Sequence, residues 1–136
     1  PAARLFDIHE RVAVFTLDSA AGEADALAER GAELVELPGD GHGIDPGSLF
    51  AELARREVNE VHVEAGPTLC GRLLETGYVD ELLLYMAPQV LGDGARGLFC
   101  MAPLDSMAER VRLHLREVRH VGTDLRIQAL PLIDRE

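Results

Sequence analysis

The chain has 136 residues, 47% hydrophobic and 27% charged, and carries a formal net charge of -11. That length supports one domain with one core, so residues 1–136 are read as a single domain. The acidic balance excludes nucleic acid and anionic membrane as partners, because phosphate-rich surfaces need a cationic face. It does not exclude a small phosphorylated ligand held on a few backbone N–H groups and one local Arg.

Aromatic residues make up only 4% and Trp is absent, so an aliphatic core of Leu, Val and Ala is expected. RVAVFTL (Arg11 to Leu17) is an apolar, β-rich run that reads as a buried strand. GEADALAERG follows, with Ala24, Leu27 and Ala28 on one helical face and Gly31 where a C-terminal cap belongs. AELVEL (Ala32 to Leu37) alternates as a second strand. PGDGHG (Pro38 to Gly43) is a turn-forming loop. Asp45 and Pro46 then fit the N-cap and first position of a helix with the stripe Leu49, Phe50, Leu53 and Ala54. Glu60 to Glu64 is a third short strand. Pro67 to Gly77 is a third helix, with Leu69, Cys70, Leu73 and Leu74 facing in. This β-α alternation implies a mainly parallel sheet with helices on its faces.

The second half changes character. VDELLLYMAP (Val79 to Pro88) is a strongly apolar strand. Residues 89–110, with Gly92, Gly94, Gly97 and Pro103, read as a long surface segment with one helical turn near Asp105. VRLHLREV (Val111 to Val118) alternates until Val118 breaks parity, the mark of a bulge. A turn at Gly122-Thr123-Asp124 leads into LRIQALPL (Leu125 to Leu132) as the return strand of a hairpin. Pro131 places the strand end, or a sheet edge, at that residue. The fold class is therefore α/β, a mixed sheet with a parallel first half and a C-terminal antiparallel hairpin. No run approaches the ~20 apolar residues of a membrane span and no secretory signal is read. Cys70 and Cys100 stand in apolar contexts without metal spacing, as two buried, reduced thiols. A reducing cytoplasm is the simplest compartment, and no metal is expected.

The junction Glu64-Ala65-Gly66-Pro67-Thr68 lies at the C-terminal end of the third predicted strand, the edge of an α/β sheet where ligands bind. Gly66 lets the chain turn and lets another molecule approach the backbone. Pro67 suits the first helical position because its missing N–H has no partner there. The N–H groups of Thr68 and Leu69 then offer an anion site, to which Arg72 can add charge, with Glu64 at its mouth as an acceptor. Plain turn chemistry explains the same residues, and both readings stay open at this level. No G-x-G-x-x-G and no Walker lysine is present.

Among other candidates, His9, His42, His62, His114 and His120 are scattered, and only His62 lies beside the junction. Asp80 and Glu81 read as a solvated turn, Asp93 as a loop tip and Asp124 as turn chemistry. Arg96 reads first as a loop residue, with a substrate phosphate as its lesser reading. No Ser-His-Asp or Cys-His arrangement for covalent hydrolysis is recognisable.

VEAGPTLCGRLLETGYVDELLLYMAPQVLGDGARGLF (Val63 to Phe99) resembles the reductase domain of the bifunctional riboflavin-biosynthesis deaminase/reductase. The match includes VEAGPTL, the L-x-x-G-x-VDEL run, the YMAP strand end and the GARGLF loop. The approach PAARLF, the strand VAVFT and the ending VGTDLRIQALPL also fit, so it covers essentially the whole chain. The resemblance implies a three-layer α/β/α fold of the dihydrofolate-reductase-like superfamily. It implies NADPH-dependent reduction of 5-amino-6-(5-phosphoribosylamino)uracil to the ribitylamino form. It makes Glu64 a substrate ligand and Gly66, Pro67, Thr68, Leu69, Cys70, Gly71 and Arg72 the frame of the cofactor site. No residue of the chain is assigned as catalytic.

The family's reductase domain also has an earlier strand with a site lysine, further cofactor contacts and an Arg-rich substrate segment, and a zinc deaminase domain precedes it. None of these is recognised here, and the chain begins at Pro1. The expectation is thus the C-terminal part of a reductase domain, a homodimer without turnover of its own. A non-catalytic nucleotide-binding or dimerisation module, and a pteridine or dihydrofolate-type reductase, are the alternatives.

Overall fold

The computed structural model describes residues 11–17 and 21–132, the side chains of residues 21–24 excepted. His9, the PAARLF approach and the Ala24 helical face lie outside the described residues. The chain forms two compact units that part between Val61 and His62.

In the first unit, β1 (Val12–Leu17) and β2 (Ala32–Leu37) pair in parallel, Val12 opposite Ala32 through Leu17 opposite Leu37. Between them runs α1 (Ala21–Ala28), which packs on β2. Ala32 is buried, but β1 is half-buried rather than enclosed, and Ala28 is exposed. A strand paired along one edge only keeps part of its surface open. The Pro38 to Gly43 loop closes on itself, with Asp45 N–H donating to the Pro38 carbonyl at 2.9 Å. Asp45 then caps α2 (Pro46–Arg55): its carboxylate accepts from both the Ser48 N–H and hydroxyl at 2.7 Å, and Pro46 takes the first position. At the other end of α2, the Arg56 guanidinium donates to Glu33 on β2 at 2.8 and 2.9 Å and to Glu52 at 2.7 Å. It also lies 5.8 Å from the Phe15 ring centroid on β1. One cation therefore ties α2 to both strands.

Residues 60–64 form no strand. The apolar alternation of Val61 and Val63 is strand-like, yet a strand exists only where a neighbour completes its hydrogen bonds, and none of the described residues pairs with it. Both valines are exposed, at 42% and 41%.

The second unit opens with α3 (Pro67–Glu75), followed by β3 (Leu82–Met86). Leu73 and Leu74 on α3 are buried, but Leu69 is exposed, because it sits one turn nearer the open start of the helix. The helix ends in a Schellman arrangement: Gly77, at φ 77°, donates to Leu74, and Tyr78 donates to Leu73 at 3.0 Å. Residues 87–111 are irregular apart from one 3₁₀ turn, Met107–Glu109. The hairpin β4 (Arg112–Val121) and β5 (Asp124–Leu132) turns at Gly122-Thr123, and β5 lies between β3 and β4 in an antiparallel sheet.

The register explains two features of this hairpin. Leu115 opposes Ala129 and Glu117 opposes Gln128, so Arg116 is the extra residue of a bulge. The bulge returns Val118 to the face that holds Leu113 and Leu115. Pro131 sits inside β5 opposite Leu113, but β3 reaches only as far as Ala129, so Pro131 lies beyond the β3 edge and needs no donor there. Glu81 accepts from the Gln128 side chain at 2.7 Å and lies 3.7 Å from Arg116. It is exposed, just after the bend at Asp80, and it also ties β5 to the start of β3.

Among the described residues, no helix is long and apolar enough to cross a membrane, and no group of three His, Cys, Asp or Glu is placed to hold a metal ion.

Candidate functional site

The start of α3 borders an open cleft. Gly66 is the N-cap, at φ -75° and ψ 171°, and no side chain caps the helix. Any residue adopts that conformation, so glycine is not required for the turn itself. What it leaves is open backbone, since a Cβ at Gly66 would meet nothing within 4 Å. The first intrahelical bond is Cys70 N–H to the Gly66 carbonyl at 3.1 Å. Pro67 has no N–H, so the amides of Thr68 and Leu69 are the donors left at the positive end of the helix.

Residues 96–101 form the facing wall. Together, Gly66, Pro67 and Thr68 on one side and Arg96, Gly97, Phe99, Cys100 and Met101 on the other line an open cleft of about 620 Å³. Its polar lining residues are Thr68 and Arg96. Its apolar groups are Phe99 and Met101. This donor set suits an anionic group attached to a larger, partly apolar body, which is the chemistry of a dinucleotide diphosphate.

Of the residues singled out in the sequence, Gly66, Pro67 and Thr68 line the cleft. Leu69 is not among the lining residues, and its side chain is exposed. Cys70 is half-buried, with its thiol donating to the Ala65 carbonyl at 3.5 Å. Gly71 is buried beneath the Cys100 backbone, and Arg72 is half-buried one turn further on, outside the cleft lining. Glu64 is 86% exposed and lies 3.4 Å from His62 Nε2. Cys100 is exposed rather than buried, since its backbone and not its thiol packs against the helix. The facing wall of Gly97, Phe99, Cys100 and Met101 was not singled out in the sequence. The GARGLF loop was visible in the sequence, but its apposition to a helix some thirty residues earlier was not.

The family profile described as the RibD C-terminal domain matches residues 2–127. The chain belongs to the RibD C-terminal domain family. Riboflavin biosynthesis protein RibD of Escherichia coli is 46% identical over 77 residues, which are 57% of this chain and 21% of that protein. The 5-amino-6-(5-phosphoribosylamino)uracil reductase of Buchnera aphidicola is 34% identical over 84 residues, 62% of this chain and 41% of that protein. Acinetobacter baumannii RibD superposes with a TM-score of 0.79 at 28% identity, over 97% of this chain and 34% of that one. The chain thus spans about a fifth of the E. coli relative's length. The RibD match bears out the resemblance carried by VEAGPTL and GARGLF, and with it the dihydrofolate-reductase-like α/β fold class.

Proposed function

We propose that this RibD C-terminal domain serves the NADPH-dependent reduction of 5-amino-6-(5-phosphoribosylamino)uracil to the ribitylamino form in riboflavin biosynthesis. The observation that carries the reading is the cleft at the start of α3, whose lining joins Gly66, Pro67 and Thr68 of an uncapped helix start to Arg96. The Buchnera relative, named for this reduction, supports the choice of substrate. When bound, NADPH supplies a hydride to C1 of the opened ribose. The domain's own part is to bind, orient and exclude water. Thr68 and Leu69 offer amides, and Thr68 a hydroxyl, to the cofactor phosphates. Arg96 offsets phosphate charge that a chain of net charge -11 otherwise repels. Phe99 and Met101 keep one side of the cleft dry. Glu64, just before the cofactor segment, accepts hydrogen bonds from the pyrimidine substrate. Cys70, Gly71 and Arg72 frame the site from further along the helix.

The same reading makes the protein a homodimer, supported by the exposed apolar strand residues Met86, Leu115 and Val118. The free thiols of Cys70 and Cys100 suit the reducing cytoplasm.

NADPH oxidation by the full-length protein tests the reading. With the phosphoribosylaminopyrimidine as substrate, Glu64→Gln is expected to raise the KM for the pyrimidine about 10-fold or more, as loss of a charge-assisted hydrogen bond does. The KM for NADPH should stay near its wild-type value. A loss confined to NADPH would contradict the assignment of Glu64.

A further inference from the structure

We propose that Glu75 and Gly71 are positioning residues, which set the width of the cleft by holding the 96–102 segment against α3. The proposal rests on the reading of the cleft as the NADPH site. Three contacts fix that segment. At the start of the helix, Cys100 N–H donates to the Pro67 carbonyl at 3.0 Å. At its end, Ala102 N–H donates to Glu75 Oε1 at 2.7 Å. Between them, Gly71 lies flush under Cys100: a Cβ there would overlap the Cys100 carbonyl oxygen and come within 2.8 Å of its carbonyl carbon. These are backbone atoms, so a side chain at residue 71 moves the wall itself.

The position of Glu75 strengthens the case. It is the last residue of α3, where the helix dipole disfavours a carboxylate. Helix stability therefore does not account for it, whereas the bond to Ala102 does. Through that bond it holds the far end of a segment whose other residues line the cleft. Arg96, Phe99 and Met101 line the cleft from this one segment. Releasing its far end loosens every group it offers to a ligand opposite Thr68. Neither Glu75 nor Gly71 touches the ligand in this account. Both act through the wall.

The test uses the full-length protein and two readouts, amide hydrogen exchange without ligand and NADPH affinity by direct titration. Glu75→Ala should speed exchange at Ala102 and Cys100 and weaken NADPH binding about 5- to 10-fold, the size of one lost charge-assisted hydrogen bond. Glu75→Gln keeps an acceptor oxygen but loses the charge, so it should weaken NADPH binding clearly less than Glu75→Ala does. Gly71→Ala should weaken NADPH further, and if that variant does not fold, the Glu75 pair decides alone. Unchanged affinity in Glu75→Ala, or an equal loss in Glu75→Gln, would overturn the proposal. Thr68→Glu, which sets an anion on the opposite wall, separates the two claims. If it leaves NADPH binding intact, the cofactor reading itself fails. If it abolishes binding while Glu75→Ala does nothing, only the positioning role fails.

Discussion

Glu52 stands between two guanidinium groups, with Arg55 donating to it at 2.6 and 2.8 Å and Arg56 at 2.7 Å. These hydrogen bonds, Arg55 first, hold its carboxyl at about 2, well below the usual carboxylate range. Glu33 is lowered chiefly by Arg56, and Asp45 by the Ser48 hydroxyl and amide. All three have folded-state values below their unfolded ones, so their contribution is present above the unfolded pKa and is lost as pH falls through the folded one. The first unit is therefore expected to lose thermal stability progressively from about pH 5 to about pH 2. Glu52→Gln should flatten that slope, and an unchanged slope would show that the Arg55–Glu52–Arg56 cluster is not formed in solution. The capping role of Asp45 was legible because N-cap chemistry is local. The Arg56–Glu33 pair was not, because it joins residues that meet only after β2 and α2 have packed.

Elements with a local signature emerged where expected: the two parallel strands, the helices begun by Asp45-Pro46 and Gly66-Pro67, and the hairpin at Gly122-Thr123. The parity break before Val118 was legible as a bulge, and Arg116 is its extra residue. The failure at residues 60–64 is equally physical. Alternating valines record which faces a strand would have, not whether a neighbour is there to pair with it. The expected consequence is fast amide hydrogen exchange at Val61, His62 and Val63, alongside slow exchange at Ile127 and Ala129, which lie in the central strand of a three-stranded sheet. Protection of Val61 to Val63 equal to that of Ile127 would mean that this segment is a paired strand after all.

At the scale of the molecule, charge and apolar surface point in different directions. The net charge of -11 keeps phosphate-rich partners away and makes Arg96 in the cleft the more telling. The register puts Leu82, Leu84, Met86, Leu125, Ile127, Leu113, Leu115 and Val118 on one face of the antiparallel sheet. Leu115 is 56% exposed and Val118 51%. An apolar sheet face left this open favours association at roughly 25 cal/mol per Å² buried. Sedimentation equilibrium should find a dimer at micromolar concentration, with Leu115→Arg shifting it toward monomer. A wild-type monomer would remove the argument. The family and the GPT junction were legible from the sequence, because they are runs of adjacent residues. The cleft was only half legible, because its second wall is brought to Gly71 by tertiary packing. The central claim is that this cleft holds the cofactor phosphates, and NMR titration of the full-length protein with NADPH tests it most directly. The amides of Thr68 and Leu69 and the Arg96 guanidinium resonance should shift together with a single saturation curve. If NADPH binds and those three signals do not move, the cofactor lies elsewhere and the account of this site is wrong.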